Sequence, residues 1–150
     1  MFETMSPNES VKDTRMPKSL REVQSFMNKE RLATFATVGP NSEPHVVPVF
    51  FTHDDGKVYI QTDRKSVKVR NLVRNDSVAV AVYQGEEAVI IRGKARLIDS
   101  NEEFVKRTQE HIDKYRLKLD ECGRDSLGIP LFNGKVRCII EVTPKRILFW

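Results

Sequence analysis

The chain is poor in the residues and spacings that most catalytic chemistries require. Its two cysteines, Cys122 and Cys138, form no C-x-x-C pair, and the economical reading is two reduced thiols, with a disulfide between them left open. The three histidines, His45, His53 and His111, have no H-E-x-x-H or cysteine partner at ligand spacing, so no metal site is expected. His45 and His53 read as polar positions on strands. No G-x-G-x-x-G follows a strand and no G-x-x-x-x-G-K-[ST] occurs, which removes two common nucleotide cradles. No G-x-S-x-G elbow offers a hydrolase nucleophile. Apolar runs such as Val46 to Phe51 fall well short of the ~20 residues that span a bilayer. The opening MFETMSPNESVKDTRMPKS lacks the apolar stretch of a signal peptide, which predicts a flexible tail over residues 1–16, one domain over 17–150 and a cytoplasmic location. If reaction chemistry is present, a cofactor supplies it.

What is present suits a single soluble domain: 150 residues, 39% hydrophobic and 31% charged, with a formal net charge of +4 that permits attraction to anions without choosing among them. Pro17 opens a helix in which Leu20, Val23 and Met27 recur at the spacing of one buried face. The period then changes to that of strands. RLATFATV (31–38), PHVVPVFFTH (44–53) and KVYIQT (57–62) are separated by GPNSEP and by the hairpin signal Asp54-Asp55-Gly56. SVAVAVYQ (77–84) and EAVIIRGKARLID (87–99) form a further hairpin, and a polar helix is expected from about Ser100 to Glu121. CGRDSLGIPLFNG reads as a loop, and KVRCIIEVTPKRILFW as two strands broken at Thr143-Pro144, since proline cannot donate to a ladder. Six to seven short strands with two or three helices predict a mainly β, α+β fold, an antiparallel barrel with flanking helices.

The segment QTDRKSVKVRNL, Gln61 to Leu72, is the chemical centre of interest. A helix starting near Ser66 places Val69, Leu72 and Val73 toward the core and Arg70 and Arg74 away from it. Free N–H groups at a helix start attract anions, and Thr62, Ser66, Lys65 and Lys68 add hydroxyls and charge. A solvated basic helix face accounts for the same residues equally well.

The order LATFATVGPNSEPHVVPVFF, GKVYIQTDRKSVKVRNLVRNDSVAVAVY and VIIRGKARLI resembles the pyridoxamine 5'-phosphate oxidase-like family of FMN-binding split barrels. The resemblance implies a homodimeric split barrel with the cofactor at the subunit interface and a small-molecule substrate. Thr62, Ser66 and Lys68 would hold the phosphate of FMN, with Lys65 as a further charge. Backbone groups of Val46, Val47, Pro48 and Val49 would line the flavin ring, and Gln61 would reach the ribityl chain. Tyr83 and Gln84 would approach from the same or the partner chain. A cation near the ring would raise its potential; Arg92 is one candidate, and on a strand it reads equally well as an outward-facing polar residue. The activity implied is an oxidoreductase working by hydride transfer. Two alternatives stay open: a deazaflavin-dependent reductase, in which Arg64, Lys65 and Arg70 would meet the polyglutamate tail, and a non-catalytic flavin carrier. The ending PKRILFW lacks the arginine–histidine pair with which the authentic oxidase clamps its substrate, so that reaction is not expected. Phe149 and Trp150 read as packing at a dimer seam, with Trp150 as a cover for the partner's cleft the alternative. Basic residues without interleaved aromatics argue against nucleic acid, and no membrane partner is expected.

Overall fold

The computed structural model describes residues 19–150 together with the backbone of Glu3–Met5, so most of the expected tail over 1–16 lies outside the described residues. In chain order the elements are β1 (Glu3–Met5), α1 (Leu20–Lys29), β2 (Ala33–Val38), a 3-10 turn (Pro40–Ser42), β3 (Pro44–Val49), β4 (Thr52–Asp54), β5 (Lys57–Asp63), α2 (Val67–Arg74), β6 (Ser77–Gln84), β7 (Glu87–Leu97), α3 (Asn101–Tyr115) and β8 (Arg137–Phe149). The strands form one curled sheet in the order β3-β2-β6-β7-β8-β5-β4, antiparallel throughout, with β1 added parallel to β8. Its two edge strands, β3 and β4, are consecutive in the chain and joined by the corner Phe50-Phe51. This is the expected split barrel, with helices on its flanks.

Strand alternation decides what lies inside. On β6 Val78, Val80 and Val82 are buried, and their register partners Phe35 on β2 and Ile91 on β7 meet them in the core, joined by Phe51, Ile60 and Ile140. The outward face opposite is built from small residues, Thr34, Ala36, Ala79 and Ala81, flanked by exposed Val46, Pro48 and Tyr83. On α1 Val23 and Met27 face the core, whereas Leu20 is 62% exposed because it is the first helical residue and overhangs the packed turn. Ser19 caps that turn by accepting from Glu22 N at 3.1 Å.

The 44–53 run is two strands, not one. Around Phe51 the chain turns a corner, and the Tyr115 hydroxyl takes up the Phe51 N–H at 3.0 Å in place of a ladder partner. Conversely, 137–149 is one strand, not two. Pro144 stands opposite Gly93, where the register shifts by one residue between Arg92 and Gly93, so the missing N–H falls at a β-bulge and β8 bends without stopping. At Gly93 an added Cβ would lie 2.2 Å from the Thr143 carbonyl oxygen. Gly93→Ala is therefore expected to cost at least about 2 kcal/mol by forcing β7 and β8 apart, read as a fall in thermal midpoint with the same secondary structure before melting.

Helix α3 stops at Tyr115 and does not reach Glu121. Arg116 takes a left-handed conformation (φ 52°) and Leu117 N bonds back to Ile112 O at 3.0 Å, a Schellman-type stop. Beyond it Asp120 and Asp125 each gather two backbone N–H groups, of Cys122 and Arg124 and of Leu127 and Ile129, which fixes the following segment as successive turns. No helix among the described residues is long and apolar enough to cross a membrane.

Candidate functional site

β5 runs out at Asp63 and the chain turns into α2. Asp63 organises that turn, its Oδ1 accepting from Lys65 N at 2.7 Å and its carbonyl from Ser66 N at 3.1 Å. Ser66 then occupies the N-cap position, where a serine hydroxyl ordinarily accepts from the first helical turn. Here it does not. The Ser66 Oγ is buried and has no partner, and the first-turn N–H groups of α2 lie beside it at the positive end of the helix.

Two cations lie near this end of α2. Lys68, half-buried on the first turn of α2, has its pKa lowered by burial and by the charge of Arg137. Arg137 opens β8 directly opposite Asp63, and Cys138 stands opposite Thr62. Burial lowers the Arg137 pKa as well, and the nearby Asp63, Cys138 and Asp125 oppose that shift. Burial pushes the Cys138 thiol up, so it sits by these cations as a neutral neighbour. Arg64 ties itself to the loop before β8, Nε to Gly134 O at 2.6 Å and its backbone N to Val136 O at 2.9 Å.

Of the residues expected to hold a phosphate, Ser66 is the N-cap of α2, Lys68 lies half-buried on its first turn, and Thr62 is buried near the end of β5 opposite Cys138, which is within electrostatic reach of Lys68. Lys65 is exposed at the turn. Gln61 is buried and already engaged: its amide donates to Leu131 O at 2.6 Å and accepts from Arg137 Nε at 2.9 Å, so it fastens the 117–136 segment to the barrel. Arg137 is the residue the sequence reading missed. Its place depends on the β5–β8 register, and nothing local in KVRCIIEV distinguishes it from an ordinary strand-end arginine.

Val46 to Val49 form the outer edge of the sheet, since β3 pairs only with β2 and its other side carries unpaired backbone groups. Val46 is 58% exposed and Pro48 exposed, Val47 is partly buried against the core, and Val49 belongs to it. At the far end of this edge stand Phe50, His111 and Tyr115, in mutual ring contact. Arg137 links the two ends electrostatically, lowering both the Lys68 and the His111 pKa. These groups thus fall along one line on the molecule, from the start of α2 past the start of β8 to α3.

The remaining candidates lie elsewhere on this chain. Tyr83 and Gln84 line an open cavity of about 520 Å³ with Thr34 and Pro48. Arg92 lines another of about 540 Å³ with Ala36, Ala79, Lys94 and Lys145 on the outward face. Phe149 is buried in the core and so is not free for a seam, while Trp150 is partly exposed and pairs its backbone with Ala88. Both cysteines are free thiols. Among the described residues no group of three or more His, Cys, Asp or Glu side chains comes together as a metal site.

Comparison with known proteins places this geometry. The family described as pyridoxamine 5'-phosphate oxidase matches residues 19–150, nearly the whole described chain. The chain belongs to the pyridoxamine 5'-phosphate oxidase-like family. Within reach of that assignment is a curated relative, the 5a,11a-dehydrotetracycline/5a,11a-dehydrooxytetracycline reductase of Streptomyces rimosus, 34% identical over 94 residues. That alignment covers 55% of this chain and 66% of the relative, just under two thirds of its length. Among solved structures, a conserved hypothetical protein from Mycobacterium tuberculosis superposes with a TM-score of 0.77 at 24% identity, covering 93% of this chain and 89% of that one. An F420 reductase superposes with a TM-score of 0.65 at 22% identity, covering 83% and 94%. These two likenesses establish the split-barrel fold of the pyridoxamine 5'-phosphate oxidase-like family.

Proposed function

We propose that the chain is an FMN-binding oxidoreductase, transferring hydride to or from a small molecule as a homodimer. The observation that carries this is the buried, unpartnered Ser66 Oγ at the start of α2, with Lys68 on the same turn and Arg137 within electrostatic reach of Lys68. A hydroxyl left without a partner costs about 1–3 kcal/mol, and a phosphate oxygen at this position would accept from it, from the helix N–H groups and from the cations together. Thr62, Ser66 and Lys68 would hold the phosphate, with Arg137 added to that set, and the β3 edge would present backbone groups to the ring. When bound, such a coenzyme supplies a two-electron hydride carrier. The chain's own part is to fix the phosphate, to exclude water with the small-residue outward face covered by a second copy, and to hold the substrate. Because the arginine–histidine pair of the authentic oxidase is missing near the C-terminal strand, pyridoxamine phosphate is not the proposed substrate.

A deazaflavin coenzyme is the second reading. It is favoured by Arg64, Lys65 and Arg70, which lie exposed at the mouth of the phosphate site where an acidic tail would emerge. The deciding experiment equilibrates the purified protein with FMN and with the deazaflavin coenzyme at equal concentration and follows both through gel filtration. FMN absorbance travelling at dimer mass is the expected result. Preferential retention of the deazaflavin selects the second reading, and retention of neither removes both.

A further inference from the structure

We infer that the Phe50–His111–Tyr115 cluster, where the β3 edge meets α3, is a recognition subsite for a planar, carbonyl-bearing molecule, with the His111 imidazole donating to the carbonyl oxygen and Phe50 offering an aromatic face. This rests on the coenzyme site proposed above and names what a second occupant beside it looks like. Phe50 follows Val49 directly, so it stands at the end of the strand assigned to the ring. It is 50% exposed, yet it is not loose. Its ring meets Tyr115 edge-on at 4.9 Å between centroids and His111 at 6.5 Å. The corner that carries it is pinned by the Tyr115 hydroxyl, which accepts from Phe51 N at 3.0 Å and donates to Arg31 O at 2.7 Å. An exposed aromatic plate held this firmly presents a flat apolar surface at little entropic cost.

His111 is 8% exposed, and no hydrogen bond engages its ring among the described residues. Its nitrogens are not among the sealed polar atoms, which are those of His53, Ser66 and Thr108, so the ring reaches the surface with a free polar atom. Burial and the charges of Arg137 and Lys114 hold its pKa down at about 4, with Asp125 opposing. At neutral pH it is an uncharged imidazole with one N–H to give. Arg137 and Lys114 keep the local potential positive, which favours a ligand whose contacting atom is electron-rich and disfavours a cation. A conjugated or aryl ketone meets all three conditions.

The probes are acetophenone and ethylbenzene, which differ in the carbonyl oxygen. Binding is read in two ways: by the change in the coenzyme's visible band in the loaded protein, and by imidazole ¹H–¹⁵N signals in the loaded and unloaded protein. The expected result is about tenfold tighter binding of acetophenone, the worth of one hydrogen bond, with a shift confined to the His111 signals. His111→Phe should bring the ratio to about one, His111→Gln should restore part of it by keeping an N–H donor, and Phe50→Ala should weaken both probes alike. Unmoved His111 signals in a protein that retains its coenzyme overturn the subsite. So does a folded His111→Phe protein that still prefers the ketone. A protein that retains no coenzyme but whose His111 signals still answer acetophenone overturns the coenzyme reading and upholds this one.

Discussion

Replacing Ser66 and Lys68 together by alanine is expected to weaken binding of a phosphate-bearing coenzyme by about a thousandfold while leaving the fold intact or more stable. One charge-assisted and one neutral hydrogen bond to phosphate sum to about 4 kcal/mol, which is roughly that factor. The folded protein without coenzyme loses nothing comparable. The Ser66 Oγ has no internal partner, so its removal relieves a buried unsatisfied group. Lys68 is held half-buried against the like charge of Arg137, so its removal relieves a repulsion. The two effects have opposite signs, and that pairing separates a binding site from a structural cap. An ordinary N-cap serine loses about 1 kcal/mol of stability on truncation. Dissociation constants from coenzyme fluorescence and thermal midpoints of the unloaded protein measure both. Riboflavin, which lacks the phosphate, should bind the variant and the parent alike. Unchanged FMN affinity in a folded variant would remove the phosphate assignment.

The second large effect is acid sensitivity. His53 on β4 is 7% exposed and neither ring nitrogen has a partner; burial lowers its pKa to about 4, Asp54 opposing and Lys114 adding to the shift. His111 is lowered to about the same value. In the unfolded chain both would protonate near 6.5, so between about pH 6.5 and 4 the unfolded state takes up protons that the folded state refuses. Stability is full above about 6.5, falls through that window and levels off below about 4 as far as these two groups are concerned. Each shift of roughly 2.5 units corresponds to about 3 kcal/mol, and the pair to about 6–7, a large fraction of a typical domain's total. Denaturant unfolding at pH 7 and pH 4.5 should show most of this loss. His53→Phe should remove about half of it, since no hydrogen bond is given up at that site. A stability that stays flat across the window would mean that the imidazoles reach water in solution.

The local signals in the sequence carried far. The Asp55-Gly56 turn has the two positive φ values that its residues favour, 49° and 77°, and Ser77–Gln84 is a strand over the residues its alternation marks. Ser66 begins α2 as its hydroxyl suggests, and Val69 and Leu72 are buried as the period expects, but Val73 is 70% exposed and Asn71 takes the third buried place. Three kinds of information were not local. Pro144 looks like a terminator until the bulge opposite Gly93 accommodates it. The end of α3 is set by the left-handed Arg116, a conformation its residue type does not advertise. Arg137 and His111 acquire meaning only when β8 is laid beside β5 and α3 across the barrel mouth, because the groups that surround them come from distant parts of the chain.

The position of β8 has a kinetic consequence. This strand lies between β7 and β5 in the middle of the sheet, yet among the described strands it comes last in chain order. Until it emerges, a nascent chain carries two open strand edges and a β5 with nothing to pair against but the short β4. The barrel therefore closes late and through contacts of long sequence separation, which makes for slow folding and a period of exposure to aggregation. The proposed phosphate site would share that dependence: Arg137 opens β8, so coenzyme capture would be coupled to the docking of this strand.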